Sequence, residues 1–148
     1  MTEQTCLKLR AADADDLAVV SAFLQDALIA IRETRYLPAE GRFVFVANRF
    51  RWEDAARPRA AEGTAIYERV HCGVCFEQVN AVRQQGLVQT RKGQIVSLLA
   101  VKAEEGSVNL TFSAGIVIRL EVDDILCHLQ DIDEPWPTQW RPAHPLND

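Results

Sequence analysis

The chain has 148 residues, of which 48% are hydrophobic and 25% charged, with a formal net charge of −5. That length suits one domain able to bury about 70% of its unfolded surface, and the composition excludes disordered and fibrous classes. The acidic balance opposes general nucleic-acid binding, which rests on clustered Lys and Arg.

No window reaches the run of about 18 apolar residues that a membrane helix needs, and MTEQTCLKLR lacks a secretory pattern. A cytoplasmic protein with no membrane contact is the expectation. In that compartment Cys6, Cys72, Cys75 and Cys127 read as free thiols or metal ligands before disulfides.

In chain order, TCLKLRAAD predicts a short edge strand. From Asp13 or Asp15 as N-cap, Leu17, Val20, Leu24 and Leu28 recur at helical spacing and predict a helix to about Ala27, with Asp15 and Asp16 suited to its positive end. The next segment reads as a hairpin through Ile31 and Tyr36, the turn PAEG, and a strand from Phe43. Because Val44 and Val46 alternate with Phe43, Phe45 and Ala47, that strand is expected to be covered on both faces.

EDAARPRAAEG, from Glu53 to Gly63, has no period and reads as a loop. TAIYERVHCGVCF and QVNAVRQQ then predict two strand pieces separated by a bend. Ile95–Ala103, Val108–Phe112 and Ile116–Val122 follow as antiparallel hairpins joined by EEGS and SAG. Asp123 reads as an N-cap, with Ile125, Leu129 and Ile132 on one helical face. Proline-rich EPWPTQWRPAHPLND, holding Trp136, Trp140 and His144, reads as a tail.

The predicted architecture is an α+β domain over residues 1–134 with a tail over 135–148. A mostly antiparallel sheet of about seven strands curls into a roll or open barrel, with one N-terminal helix and one C-terminal capping helix in a pleckstrin-homology-like order.

HCGVCF poses the sharpest chemical question. Zinc takes four ligands, and Cys72, Cys75, Cys127 and His128, with His71 and Cys6 in reserve, supply the inventory. On a regular strand, however, Cys72 and Cys75 point to opposite faces and share no ion unless Gly73 forms a bulge. The cysteines are therefore read as small apolar core residues with no cofactor expected, and the zinc centre stands as the alternative.

NRFRWE ends an apolar strand with amide, guanidinium and indole groups that suit a recognition edge, so Asn48, Arg49, Arg51 and Trp52 are the candidate binding residues. The structural counter-reading has Trp52 at the core rim and Arg49 and Arg51 paired with Glu53 and Asp54. The carboxylates Glu121, Asp123, Asp124, Asp131, Asp133 and Glu134 read as a solvated face. His71, His128 and His144 lie near no nucleophile elbow, and no glycine-rich phosphate loop precedes a helix.

The segments LKLRAADADDLAVVSAFLQDA, RYLPAEGRFVFVANRFRWE and LTFSAGIVIRLEVDDILCHLQDI together resemble the bacterial domain-of-unknown-function family 2948 over nearly the whole chain. The resemblance implies no assigned activity and carries over no catalytic residue. Asn48, Arg49, Phe50 and Trp52 match its pattern, whereas Cys72 and Cys75 depart from it. The expectation is a non-catalytic binding or scaffold domain for a protein partner or small ligand, of open oligomeric state. A zinc protein or an enzyme with a site assembled from scattered residues is the alternative.

Overall fold

The computed structural model describes residues 7–54, 59–61, 64–86, 94–138 and 142. Cys6, Arg57, Trp140 and His144 lie outside the described residues.

Twelve strands and one α-helix make up the described chain: β1 (Lys8–Ala11), α1 (Ala14–Phe23), β2 (Ala27–Ala30), β3 (Arg35–Leu37), β4 (Arg42–Phe50), β5 (Arg59–Ala61), β6 (Thr64–Phe76), β7 (Val79–Gln85), β8 (Ile95–Glu104), β9 (Ser107–Phe112), β10 (Val117–Val122), β11 (Cys127–Asp131) and β12 (Trp136–Thr138). The ladders are antiparallel and run in the order β1-β11-β6-β4-β2-β8-β9-β10-β7, with β3 on β4 and β5 and β12 on β6. Among the described residues the sheet does not close on itself.

Alternation makes the core. Phe43, Phe45 and Ala47 of β4, Cys72, Val74 and Phe76 of β6, Leu110 and Phe112 of β9, and Ile118 and Leu120 of β10 are buried in one continuous cluster. α1 adds Leu17 and Val20 to it, and Ser21 Oγ accepts from Val101 N of β8 at 2.9 Å.

Helix α1 is capped as expected: Asp13 Oδ1 accepts from Asp16 N at 2.7 Å. It ends at Phe23, a turn earlier than the expected Ala27. Leu24 is the C-cap, Asp26 takes a positive φ of 62° while donating its N–H to Leu98 O, and the chain leaves as β2 beside β8. A sheet partner for the 27–30 backbone outweighs one further helical turn with no basic residue to favour its C-terminus.

The PAEG turn is present, with Gly41 at φ 64°, and the chain bends between β6 and β7 at Gln78 (φ 60°). β4 is covered on one face only, since Val46 is 45% exposed. Very short strands such as β2, β3, β5 and β12 carry too few residues to show a period, which is why the count exceeds seven.

The predicted C-terminal helix is instead β11. Cys127, Leu129 and Asp131 are buried while His128 and Gln130 are not, a period of two, and the segment sits between β1 and β6 with backbone partners on both edges. The helical spacing of Ile125, Leu129 and Ile132 is coincidental, and a short isolated helix is marginal beside two ladders. Without that helix the pleckstrin-homology-like roll also falls.

One tight approach gives a test of the packing. A Cβ on Gly86 (φ 85°) would meet Gly115 O at 2.5 Å, whereas one on Gly106 (φ 73°) meets nothing within 4 Å. Gly106→Ala should cost about 1 kcal/mol, from conformation alone, and Gly86→Ala about 2 kcal/mol or more. Urea denaturation of both variants measures the difference; equal losses would contradict the close approach.

Candidate functional site

β4 carries different chemistry on its two faces. On the inner face the row Phe43, Phe45, Ala47 continues into Arg49, whose side chain is 0% exposed. Burying a guanidinium is costly unless every donor is met, and here the accounting closes. Nε donates to Asp131 Oδ1 at 2.9 Å, and Nη2 to Asp131 Oδ2 at 2.9 Å and Glu53 Oε2 at 2.8 Å. Nη1 donates to Glu53 Oε1 at 2.9 Å and Phe50 O at 3.4 Å. The guanidinium also lies 5.7 Å from the centroid of the Phe23 ring.

The pair spans β6, since Ala47 and Asp131 both register on Cys72. Asp131 Oδ2 also accepts from Leu7 N at 3.1 Å, tying down the start of β1. Burial opposes the charge of Arg49, but the hydrogen bonds and charges of Glu53 and Asp131 outweigh it and raise its pKa. Burial likewise works to raise the Glu53 carboxyl, yet the Arg49 hydrogen bond, a backbone hydrogen bond and the charges of Arg49 and Arg51 hold it below its usual range.

The other candidate binding residues brace this junction. Arg51 is nearly buried, forms an ion pair with Glu68 and places Nε 3.6 Å from Glu53 Oε2. Trp52, in a 3₁₀ turn over Trp52–Asp54, is half-buried; its Nε1 donates to Gln25 O at 3.0 Å and its ring meets Phe50 edge-on at 4.7 Å. Asn48 points to the other face, where its Oδ1 accepts from Arg69 Nε at 2.6 Å and its carbonyl from Arg69 Nη2 at 2.9 Å.

That outer face holds an open groove of about 230 Å³ lined by Leu28, Ala30, Glu33, Val46, Asn48, His71 and Ile95. Its origin is a broken ladder. β2 pairs with β4 at one position, Leu28 with Asn48, after which the chain turns away through a 3₁₀ turn over Ile31–Glu33 before rejoining β4 as β3. On the far side His71 Nδ1 lies 2.7 Å from Asp133 Oδ2, Asp133 Oδ1 accepts from His71 N at 3.2 Å, and the Trp136 ring lies 4.7 Å from the imidazole. The His71 hydrogen bond lowers the Asp133 pKa.

The four alternative zinc ligands are divided by the sheet. Cys72 and Cys127 face the core, and burial pushes each thiol up to about 12. Cys75 and His128 face each other on the outer side of β6 and β11, where His128 Nε2 lies 3.1 Å from Glu77 Oε2 and burial, with the Glu77 charge, raises the Cys75 pKa. Among the described residues no three His, Cys, Asp or Glu side chains are placed to hold one ion. No helix of the described residues is long and apolar enough to cross a membrane.

Of the four candidate binding residues, Asn48 alone lines the groove. The sequence reading missed Leu28, Val46, Ile95 and His71. For Val46 the signal available was the second apolar parity of FVFV; no local pattern marks Leu28, His71 or Ile95 as its neighbours.

Residues 7–144 match the model of a family described as Protein of unknown function (DUF2948), and the chain belongs to that family. No curated protein and no solved structure matches the chain.

Because the folded Glu53 pKa lies below its ordinary 4.5, its stabilising contribution is fully present above that pH and is lost as the pH falls through the folded value. Glu53→Gln should cost about 2 kcal/mol at pH 7, and the gap to the parent should narrow steadily below about pH 4.5. Denaturant titrations across pH 7 to 3 follow this gap; a gap that stays constant or widens in acid would refute the assignment.

Proposed function

We propose that this DUF2948 protein is a non-catalytic binding module whose outer groove, floored by Val46, takes an apolar anchor side chain of a protein partner. The observation that carries the reading is the exposed apolar surface itself. Leu28, Val46 and Ile95 are 38%, 45% and 64% exposed side by side on one sheet face, rimmed by Glu33, His71 and Asn48.

Size favours a partner over a small ligand. Sites for cofactors and metabolites run to about 300–1,000 Å³, and this groove falls below that range. It suits one inserted side chain of an anchor residue, with polar contacts around it.

Rim chemistry adds direction. Among the described residues Glu33 has no ion-pair partner and the Asn48 amide nitrogen no hydrogen bond, so the rim offers a carboxylate and a donor. A partner with a basic residue beside its apolar anchor complements both the carboxylate and the chain's charge of −5. The deep junction of Arg49, Glu53 and Asp131 acts from beneath by fixing β4, while Arg51 and Trp52 brace its end.

A photo-reactive amino acid at position 95, with the same group at the exposed Val19 on α1 as control, tests the reading in cells. The expected result is one adduct of discrete mass from position 95, absent from position 19 and abolished by Val46→Asp. No adduct, or the same adducts from both positions, would overturn it. An adduct of twice the chain mass would replace the foreign partner by a second copy.

A further inference from the structure

A second, larger concavity of about 410 Å³ lies on β7, β9 and β10, away from the residues of the groove. Its lining is of another kind. Arg83 of β7 and Arg119 of β10 are direct cross-strand neighbours, and Asn109 of β9 is the next partner of Arg119. Lys102 of β8 continues the same row as the partner of Asn109.

Like charges placed directly opposite on a sheet repel and weaken the pair. In an acidic chain such a placement needs a counter-charge. Part of it is built in: Arg83 pairs through Nε with Glu121, and Arg119 Nη1 lies 3.9 Å from Glu104 Oε1. Both glutamates stand outside the concavity, and among the described residues no carboxylate lines it. Among the described residues the two terminal nitrogens of Arg83 make no hydrogen bond, and Arg119 makes none within bonding distance.

Two guanidiniums side by side present forks of parallel N–H donors, the arrangement that holds a carboxylate or phosphate by two bonds at once. Around them stand the amides of Gln85 and Asn109 and the hydroxyl of Thr111, which suit hydroxyl or amide groups, with Val117 as the apolar contact. Among the described residues the lining has no aromatic ring on which a nucleobase would stack. The volume falls in the range of small-molecule sites.

We infer that this concavity is a binding site for a small hydroxylated organic oxyanion, held by Arg83 and Arg119 and oriented by Asn109, Thr111 and Gln85.

The test is a titration of the isotope-labelled chain followed by NMR, at constant ionic strength, with glycerol 3-phosphate in one arm and malate in the other, each to about 20 mM. The expected result is a saturable shift of the Arg83, Arg119 and Asn109 signals with a Kd of about 1 mM or tighter in at least one arm. The responding arm identifies the oxyanion as phosphate or carboxylate. Arg83→Gln with Arg119→Gln should weaken binding at least about tenfold, and Asn109→Ala should weaken it with both arginines in place. Both arginines are well exposed, so the variants should fold, and an unchanged dispersed spectrum verifies it. Absence of a saturable shift in both arms, or binding undiminished in the double-arginine variant, would overturn the assignment.

Discussion

A single buried guanidinium holds together the parts of this fold that the hydrophobic core leaves apart. Arg49 sits at the end of β4 with its five N–H donors distributed over Asp131, Glu53 and a main-chain carbonyl. Through those contacts β4 is joined across β6 to β11, to the 3₁₀ turn that follows β4 and, by way of Leu7 N on Asp131, to the start of β1. The Phe23 ring adds α1 to the same junction. Buried ion pairs are poor sources of net stability, because desolvation roughly cancels attraction, but a half-completed one is strongly unfavourable. What the junction supplies is therefore specificity of arrangement: any packing of β11 or the 3₁₀ turn that strands one of these charges is excluded.

The consequence for function follows from the period of a strand. Residues that alternate on β4 serve opposite faces, so fixing Arg49 inward fixes Val46 and Asn48 outward. A register slip of one residue would carry Arg49 to solvent and Val46 into the core, which the ion junction forbids. The groove inherits its shape from this rigidity on the β4 side and from the departure of the chain at Ile31–Glu33 on the β2 side. The arginine-lined concavity belongs to the other end of the strand order, where β7 forms the edge of the sheet.

Much of this was legible before the structure. The Asp13 cap, the PAEG turn, the break after Phe76 and the three hairpin strands from Ile95 to Val122 all follow from local patterns strong enough to survive tertiary context. The misread segments are those where a long-range partner overrides a local signal. Ile125, Leu129 and Ile132 keep helical spacing, but β1 and β6 capture that backbone. The inward position of Arg49 was written in the parity of Phe43, Phe45 and Ala47, and that of Asp131 in the parity of Cys127 and Leu129. Charge concealed both, since an arginine in a row of core residues invites a surface reading until its partner, 82 residues away, is known. The two concavities were not legible: the groove draws on β2, β4, β6 and β8, and the larger concavity, though β9 and β10 form one hairpin, needs β7 to pair with β10 from the other side of β8 and β9 in the chain.

Arg49 and Asp131 act as one buried unit, and a double-mutant cycle measures their coupling. With Arg49→Met, Asp131→Leu and the combined variant compared by urea denaturation at neutral pH, each single change should cost about 3–5 kcal/mol, the first by stranding the Asp131 carboxylate and the second by leaving Nε and one Nη2 proton of the buried guanidinium without an acceptor. The combined variant should be more stable than either single one, which requires a coupling of about 3 kcal/mol or more. Losses that add to within about 0.5 kcal/mol would contradict the claim and leave the two residues as independent occupants of the interior.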